Sequence, residues 1–190
     1  MKTRISAMIA LFSLGLLATA QAEESPLYGG LKVGAMLADK MNLDDGVRMS
    51  SPDAVANAGL IGGYQFKIGK LGFLGAEGEL TTSFGRGRAD FSRNGTKIPQ
   101  GDNVWGVTTA ALYGVYQSPG KFYAKVRAGV LYDRISASGN ALSASATDWH
   151  GSYGLGGGWK IGEGALELEY TVIEKNIDFV SLGYRFQIGN

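Results

Sequence analysis

From Leu27 to Ile188 the chain is written almost throughout in period two, apolar residues alternating with small or polar ones. Side chains spaced this way leave a β-strand on opposite sides. The terminal stretch, Asp178 to Asn190, is the cleanest case. Val180, Leu182, Tyr184, Phe186 and Ile188 share one face, and Phe179, Ser181, Gly183, Arg185 and Gln187 share the other.

Seven earlier stretches follow the same scheme. In Leu27 to Leu37, Leu31, Val33, Ala35 and Leu37 oppose Gly30, Lys32 and Gly34. In Ala58 to Lys67, Leu60, Tyr64 and Phe66 oppose Gln65 and Lys67, and in Gly72 to Thr82, Leu74, Ala76 and Leu80 oppose Glu77 and Glu79. Asn103 to Gln117 sets Trp105, Val107, Ala111, Tyr113 and Val115 against Thr108, Gly114 and Tyr116. Lys121 to Arg134 sets Phe122, Ala124, Val126, Val130 and Tyr132 against Lys125, Arg127 and Asp133. Trp149 to Lys160 sets Trp149, Tyr153, Leu155 and Trp159 against Gly154, Gly156, Gly158 and Lys160. Ala165 to Val172 sets Leu166, Leu168, Tyr170 and Val172 against Glu167, Glu169 and Thr171. Helical periodicity of comparable strength is absent after the leader. The expected fold is all-β, with eight antiparallel strands.

The connections carry a second pattern. Ala38–Asn57, Ser83–Asp102 and Ile135–Asp148 are long, Ile68–Leu71, Ser118–Gly120 and Ile161–Gly164 are short, and Ile173–Ile177 is intermediate. Long and short segments alternate, so the long ones belong at one end of a barrel and the short ones at the other. Gly69-Lys70, Pro119-Gly120 and Gly162-Glu163-Gly164 give the short side its turn chemistry.

The beginning of the chain reads as a secretory signal. Lys2 and Arg4 precede the apolar run Ile5–Leu17, and Ala20-Gln21-Ala22 matches a cleavage site. Residues 1–22 are therefore expected to be removed, leaving a barrel domain over 23–190. Losing Lys2 and Arg4 takes the formal charge from +1 to −1, which gives no footing for nucleic-acid binding. No later apolar run is long enough to cross a bilayer as a helix. Any membrane crossing must be made by strands.

Three features assign the apolar face to lipid. It carries no Asp, Glu, Lys or Arg in any of the eight strands, as expected where an outward charge at mid-membrane costs about 2–4 kcal/mol. The opposite face is Gly, Ser and Thr with a few balanced charges, which suits the narrow interior of an eight-stranded barrel. Aromatics gather near strand ends: Tyr64, Phe66, Phe122, Trp159, Tyr184 and Phe186 on the short-turn side, Trp105, Tyr132 and Trp149 on the long-loop side. Two such belts mark the interfaces of a membrane barrel.

With these strands, the repeated aromatic ends and the terminal Leu182-Gly183-Tyr184-Arg185-Phe186, the chain resembles the OmpA/OmpX-type eight-stranded outer-membrane β-barrels of Gram-negative bacteria. The resemblance covers the whole mature chain. It implies an up-and-down transmembrane barrel with periplasmic termini, surrounded by outer-membrane lipid and lipopolysaccharide and inserted by the assembly machinery. In that family the terminal aromatic is usually the last residue, whereas here Gln187–Asn190 follow Phe186. Roles in adhesion or resistance to host defences, through host surface molecules, are also implied.

Candidate chemistry is concentrated on the inward face. Lys32, Glu77, Glu79, Lys125, Arg127, Glu167, Glu169 and Arg185 are expected to pair across the lumen, because single buried charges are prohibitive. Glu167 or Glu169 can reach Arg185, and Glu77 or Glu79 can reach Lys125 or Arg127. Such a network plugs the barrel and fixes its register; the alternative is a narrow gated pore. Neither carboxylate pair has room for a substrate, so no catalytic role is assigned. With no Cys, one His and carboxylates scattered along the chain, neither a metal site nor a cofactor is expected.

His150 and Ser152 have a spacing similar to the His-x-Ser pair of barrel-type lipid A deacylases. In those enzymes the pair lies in the second-to-last strand and continues with Asn; here that strand, Leu166–Val172, holds neither His nor Ser. A hydrogen bond at the extracellular rim is the expected role of His150, and the protein is expected not to be an enzyme. On the second long loop, Arg86, Arg88, Arg93 and Lys97 against Asp90 and Asp102 are candidates for binding lipopolysaccharide phosphates or acidic host polymers. The Ser/Ala-rich segment Ile135–Thr147 carries no charge and is expected to be a flexible loop.

Overall fold

The computed structural model describes residues 27–43, 46–50, 52–98, 103–139 and 142–189. The signal segment, Met1–Ala22, lies outside them, as does Asp102. The strands, in chain order, are β1 (Leu27–Ala38), β2 (Met41–Asn42), β3 (Val47–Ser50), β4 (Val55–Lys67), β5 (Phe73–Ser83), β6 (Gly87–Arg88), β7 (Asp90–Arg93), β8 (Thr96–Lys97), β9 (Val104–Gln117), β10 (Phe122–Gly139), β11 (Leu142–Ile161), β12 (Gly164–Glu174) and β13 (Ile177–Gln187).

Eight of these form the wall: β1, β4, β5, β9, β10, β11, β12 and β13, each antiparallel to the next. The ring closes where β13 returns to β1, with Tyr184 opposite Leu31 and Leu182 opposite Val33. A closed ring leaves no unpaired strand edge, the condition for β-structure in a bilayer. Gly120 (φ 114°) and Gly162 (φ 59°) occupy left-handed positions in the short turns, where an L side chain would be strained.

The apolar face is the outer one. Leu31, Leu60, Leu168 and Leu182 are 53–60 % exposed although they sit in the middle of their strands. A band of this kind around the whole wall is far more apolar surface than a water-soluble monomer presents. Phe122 stacks on Trp159 at 5.8 Å at the short-turn end of the β10–β11 pair, and Tyr132 meets Trp149 at 5.3 Å further up the same pair. Tyr64, Phe66, Tyr184 and Phe186 continue the lower belt. Leu182 lies between Val33 and Leu168, so Leu182→Arg is expected to cost about 2–4 kcal/mol of folding in lipid vesicles. A guanidinium midpoint for vesicle-folded protein that does not move would place this face away from lipid.

Two sequence expectations need correction. The phase of β9 is inverted: Trp105, Val107, Tyr113 and Val115 point inward, and Thr108 and Leu112 outward. Trp105 is 1 % exposed and is not part of the aromatic belt. Both faces of β9 are rich in apolar residues, and the inner ones are used because the upper lumen is itself apolar. Second, the predicted flexible loop after Ile135 is a continuation of β10 and β11, paired up to Gly139 opposite Leu142. Its inward Ile135, Ala137 and Ala144 are buried, and its serines alternate outward. The first two long loops are joined. They pair through β2, β3, β7 and β8 into a small four-stranded sheet above the barrel.

Candidate functional site

The lumen is divided into two layers. The lower is ionic, and holds all eight charged residues expected there. Lys32 Nζ lies 2.7 Å from Glu79 and 2.5 Å from Glu169. Lys125 Nζ is within 3.0 Å of Glu77, Glu167 and Glu169. Arg127 Nη1 contacts Glu77 at 3.0 Å and Glu79 at 2.6 Å, while its Nη2 donates to Thr171. Arg185 Nε is 3.4 Å from Glu167, and its Nη1 donates to Gln65. Four cations thus face four carboxylates, and no side chain among them is more than 8 % exposed. Each charge has several partners, which is the condition for such groups to be held ionised out of water.

Tyrosines that the sequence reading did not single out extend the network, Tyr28 in the inward phase of Lys32 and Tyr123 in that of Lys125. Tyr28 donates to Glu77 at 3.0 Å, and Tyr123 donates to Glu167 at 2.5 Å. Each ring lies across a glycine on the neighbouring strand, Gly63 opposite Tyr28 and Gly158 opposite Tyr123. A Cβ at either glycine would run into the tyrosine ring. Arg127 sits 4.3 Å above the Tyr113 ring, and Arg185 4.8 Å above that of Tyr28, both within cation–π range.

The upper layer is apolar. Met36, Val55, Trp105, Val107, Leu131, Ile135, Ile173, Ile177 and Phe179 from the wall pack with Met41, Leu43, Val47, Met49 and Phe91 from beneath the loop sheet. The indole of Trp105 donates to Asp53 O at 3.1 Å, tying the first loop to the wall. At the short-turn end, a cavity of about 260 Å³ is lined by Gln65, Lys160, Arg185 and Gln187.

The loop cations face water. Arg86, Arg88, Arg93 and Lys97 are all exposed, with Asp90 3.7 Å from Lys97. They are not one cluster: Arg88 pairs on β6 with β9, whereas Arg93 and Lys97 belong to the loop sheet. Arg48, unnoticed in the sequence, shares the outer face of that sheet with Ser92 and Lys97.

Toward the long-loop end of the wall, register brings Asp133, His150 and Glu174 together from β10, β11 and β12. His150 Nε2 is 3.4 Å from Asp133 Oδ2 and 3.2 Å from Glu174 Oε2. A bulge between Val172 and Glu174 shifts the pairing so that Glu174 falls opposite Ile177. The expectation that the carboxylates are too scattered to gather around the histidine therefore fails here. Spacings of seventeen and twenty-four residues carry no sequence signature. Ser152 is not part of this group. Its hydroxyl donates to Val172 O at 2.6 Å and pairs with Tyr113 Oη at 3.0 Å.

A family model described as an outer membrane protein beta-barrel domain matches residues 6–189. Among solved structures, Neisserial surface protein A is similar at 12 % identity, with a TM-score of 0.54, over 86 % of this chain and 98 % of that one. The outer membrane protein OprG of Pseudomonas aeruginosa is similar at 13 % identity, with a TM-score of 0.53, over 87 % and 98 % of the two chains. At these identities the likeness is one of fold. No curated protein matches the chain.

Proposed function

This chain belongs to the outer membrane protein beta-barrel domain family, and from that premise we propose a non-conducting barrel that works through its outward surface. Its partners are polyanions, whether lipopolysaccharide phosphates or acidic polysaccharides of another cell. Residues 1–22 are taken to be removed on export. The observation that carries this reading is the filled bore: the ionic layer leaves its side chains almost without exposure, and the apolar layer lies above it. A pore would need both layers to open together. What remains for function is the extracellular platform, held in shape by the loop sheet and bearing Arg48, Arg86, Arg88, Arg93 and Lys97 on exposed positions. A non-enzymatic role accords with Ser152, whose hydroxyl is committed to backbone and tyrosine rather than to His150.

Replacing Arg86, Arg88 and Arg93 together by serine is expected to weaken binding to dextran sulfate and to lipopolysaccharide-containing vesicles by about tenfold, at roughly 0.5 kcal/mol per exposed charge. The wild-type affinity should fall as salt rises. Binding indifferent to both salt and substitution, or stepwise current from the wild-type protein in planar bilayers, would sink the reading.

A further inference from the structure

The group toward the long-loop end of the wall has the geometry of a metal site. We propose that Asp133, His150 and Glu174 bind one divalent transition-metal ion, zinc being the ion of choice. The first observation is spacing. Nitrogen and oxygen ligands about 2.0–2.2 Å from a shared tetrahedral ion stand about 3.3–3.6 Å from one another. His150 Nε2 stands 3.4 Å from Asp133 Oδ2 and 3.2 Å from Glu174 Oε2. Those separations are long for direct charge-assisted hydrogen bonds, which close to about 2.7–2.9 Å. All three ligand atoms fall within 4.8 Å of one another.

The second observation concerns Asp133 alone. Its side chain is buried, and Oδ2, the atom aimed at the histidine, has no hydrogen-bond partner. An anionic oxygen in that state calls for a cation. Its other oxygen accepts the Asp148 backbone N–H at 3.3 Å, which fixes the carboxylate's direction.

Access and donor chemistry agree. The side chains of His150 and Glu174 are 26 % and 17 % exposed, so an ion can reach them from outside the cell. One imidazole with carboxylates suits zinc and its first-row neighbours, whereas an all-oxygen set would suit calcium or magnesium. Three ligands from three strands would also clasp β10, β11 and β12 together.

The test uses the tag-free mature protein refolded in detergent and stripped of metal. His150 is the only histidine in the chain, so imidazole ligation has one source. Zn²⁺ titration calorimetry on the wild type is expected to give one site per chain. His150→Gln and Asp133→Asn should each weaken that site at least about tenfold, as loss of one strong ligand requires. Co²⁺ should give a visible ligand-field band in the wild type that both substitutions abolish. Unchanged heat-modifiable gel mobility in both variants confirms that the barrel is intact, and either variant alone suffices if the other fails to fold. Absence of stoichiometric Zn²⁺ binding, or binding that survives both substitutions, overturns the site.

Discussion

Arg127→Met is expected to remove about 3–5 kcal/mol of stability, the cost of leaving buried charges without their partner. Arg127 is shared by Glu77 and Glu79 and also holds Thr171, so three inward groups lose a donor at once. Methionine keeps the volume and introduces no polar group, so the deficit should be electrostatic rather than a cavity. A second substitution, Glu79→Leu, should recover part of the loss, because the uncompensated carboxylate goes with it; Lys32 would retain Glu169. Denaturant midpoints for the single and double variants measure the coupling. The single variant should still pass no current, since the apolar layer above is untouched. Equal stability of Arg127→Met and wild type would mean the network contributes no net stabilisation, and current through the variant would mean the upper layer is not a seal.

Trp105→Ala should be comparably severe, at about 3–5 kcal/mol, but its effect should be confined to the top of the molecule. The indole is the largest fully buried side chain and is bonded to Asp53 O in the first loop. Its loss opens a void beneath the loop sheet and releases that loop from the wall. The sheet is built from two- and four-residue strands, so its local stability must come largely from this packing. Protease should therefore cut the segments between β1 and β4 and between β5 and β9, while heat-modifiable mobility of the barrel persists. Cleavage resistance equal to that of the wild type would show that the loops hold their form without the apolar layer.

The wall and its ionic content were legible in the sequence because both depend on short-range rules. Alternation assigns each residue of a strand to a face, and Lys32, Glu77, Glu167 and Arg185 each stand next to a small residue on the inward face, Gly30, Gly75, Ala165 and Gly183. Where the rule failed, a second buried environment was responsible. In β9 the residues facing the apolar upper lumen are as hydrophobic as those facing lipid, so Trp105 and Leu112 compete for the same reading and the larger residue misleads. In the β10–β11 extension, alternation was present in Ile135-Ser136-Ala137-Ser138. Alanine is a weak strand former on its own, however, and its burial depends on the loop sheet packed over it. The rim group of Asp133, His150 and Glu174 and the joined loops depend on strand register, and register is a property of pairs of strands that no single stretch records.

The ionic layer also bears on how the barrel is completed. Within the ionic layer the first four wall strands supply Lys32, Glu77 and Glu79, a surplus of one negative charge, and the last four supply Lys125, Arg127, Arg185, Glu167 and Glu169, a surplus of one positive charge. Contacts such as Lys32 with Glu169, 137 residues away, and Arg127 with Glu77 join the two sets. Within this layer neither half of the wall is neutral by itself, and the surplus of each is cancelled by the other. Ring closure is thus tied to electroneutrality. A ring left open would leave Lys32 without Glu169 and Arg127 without Glu77.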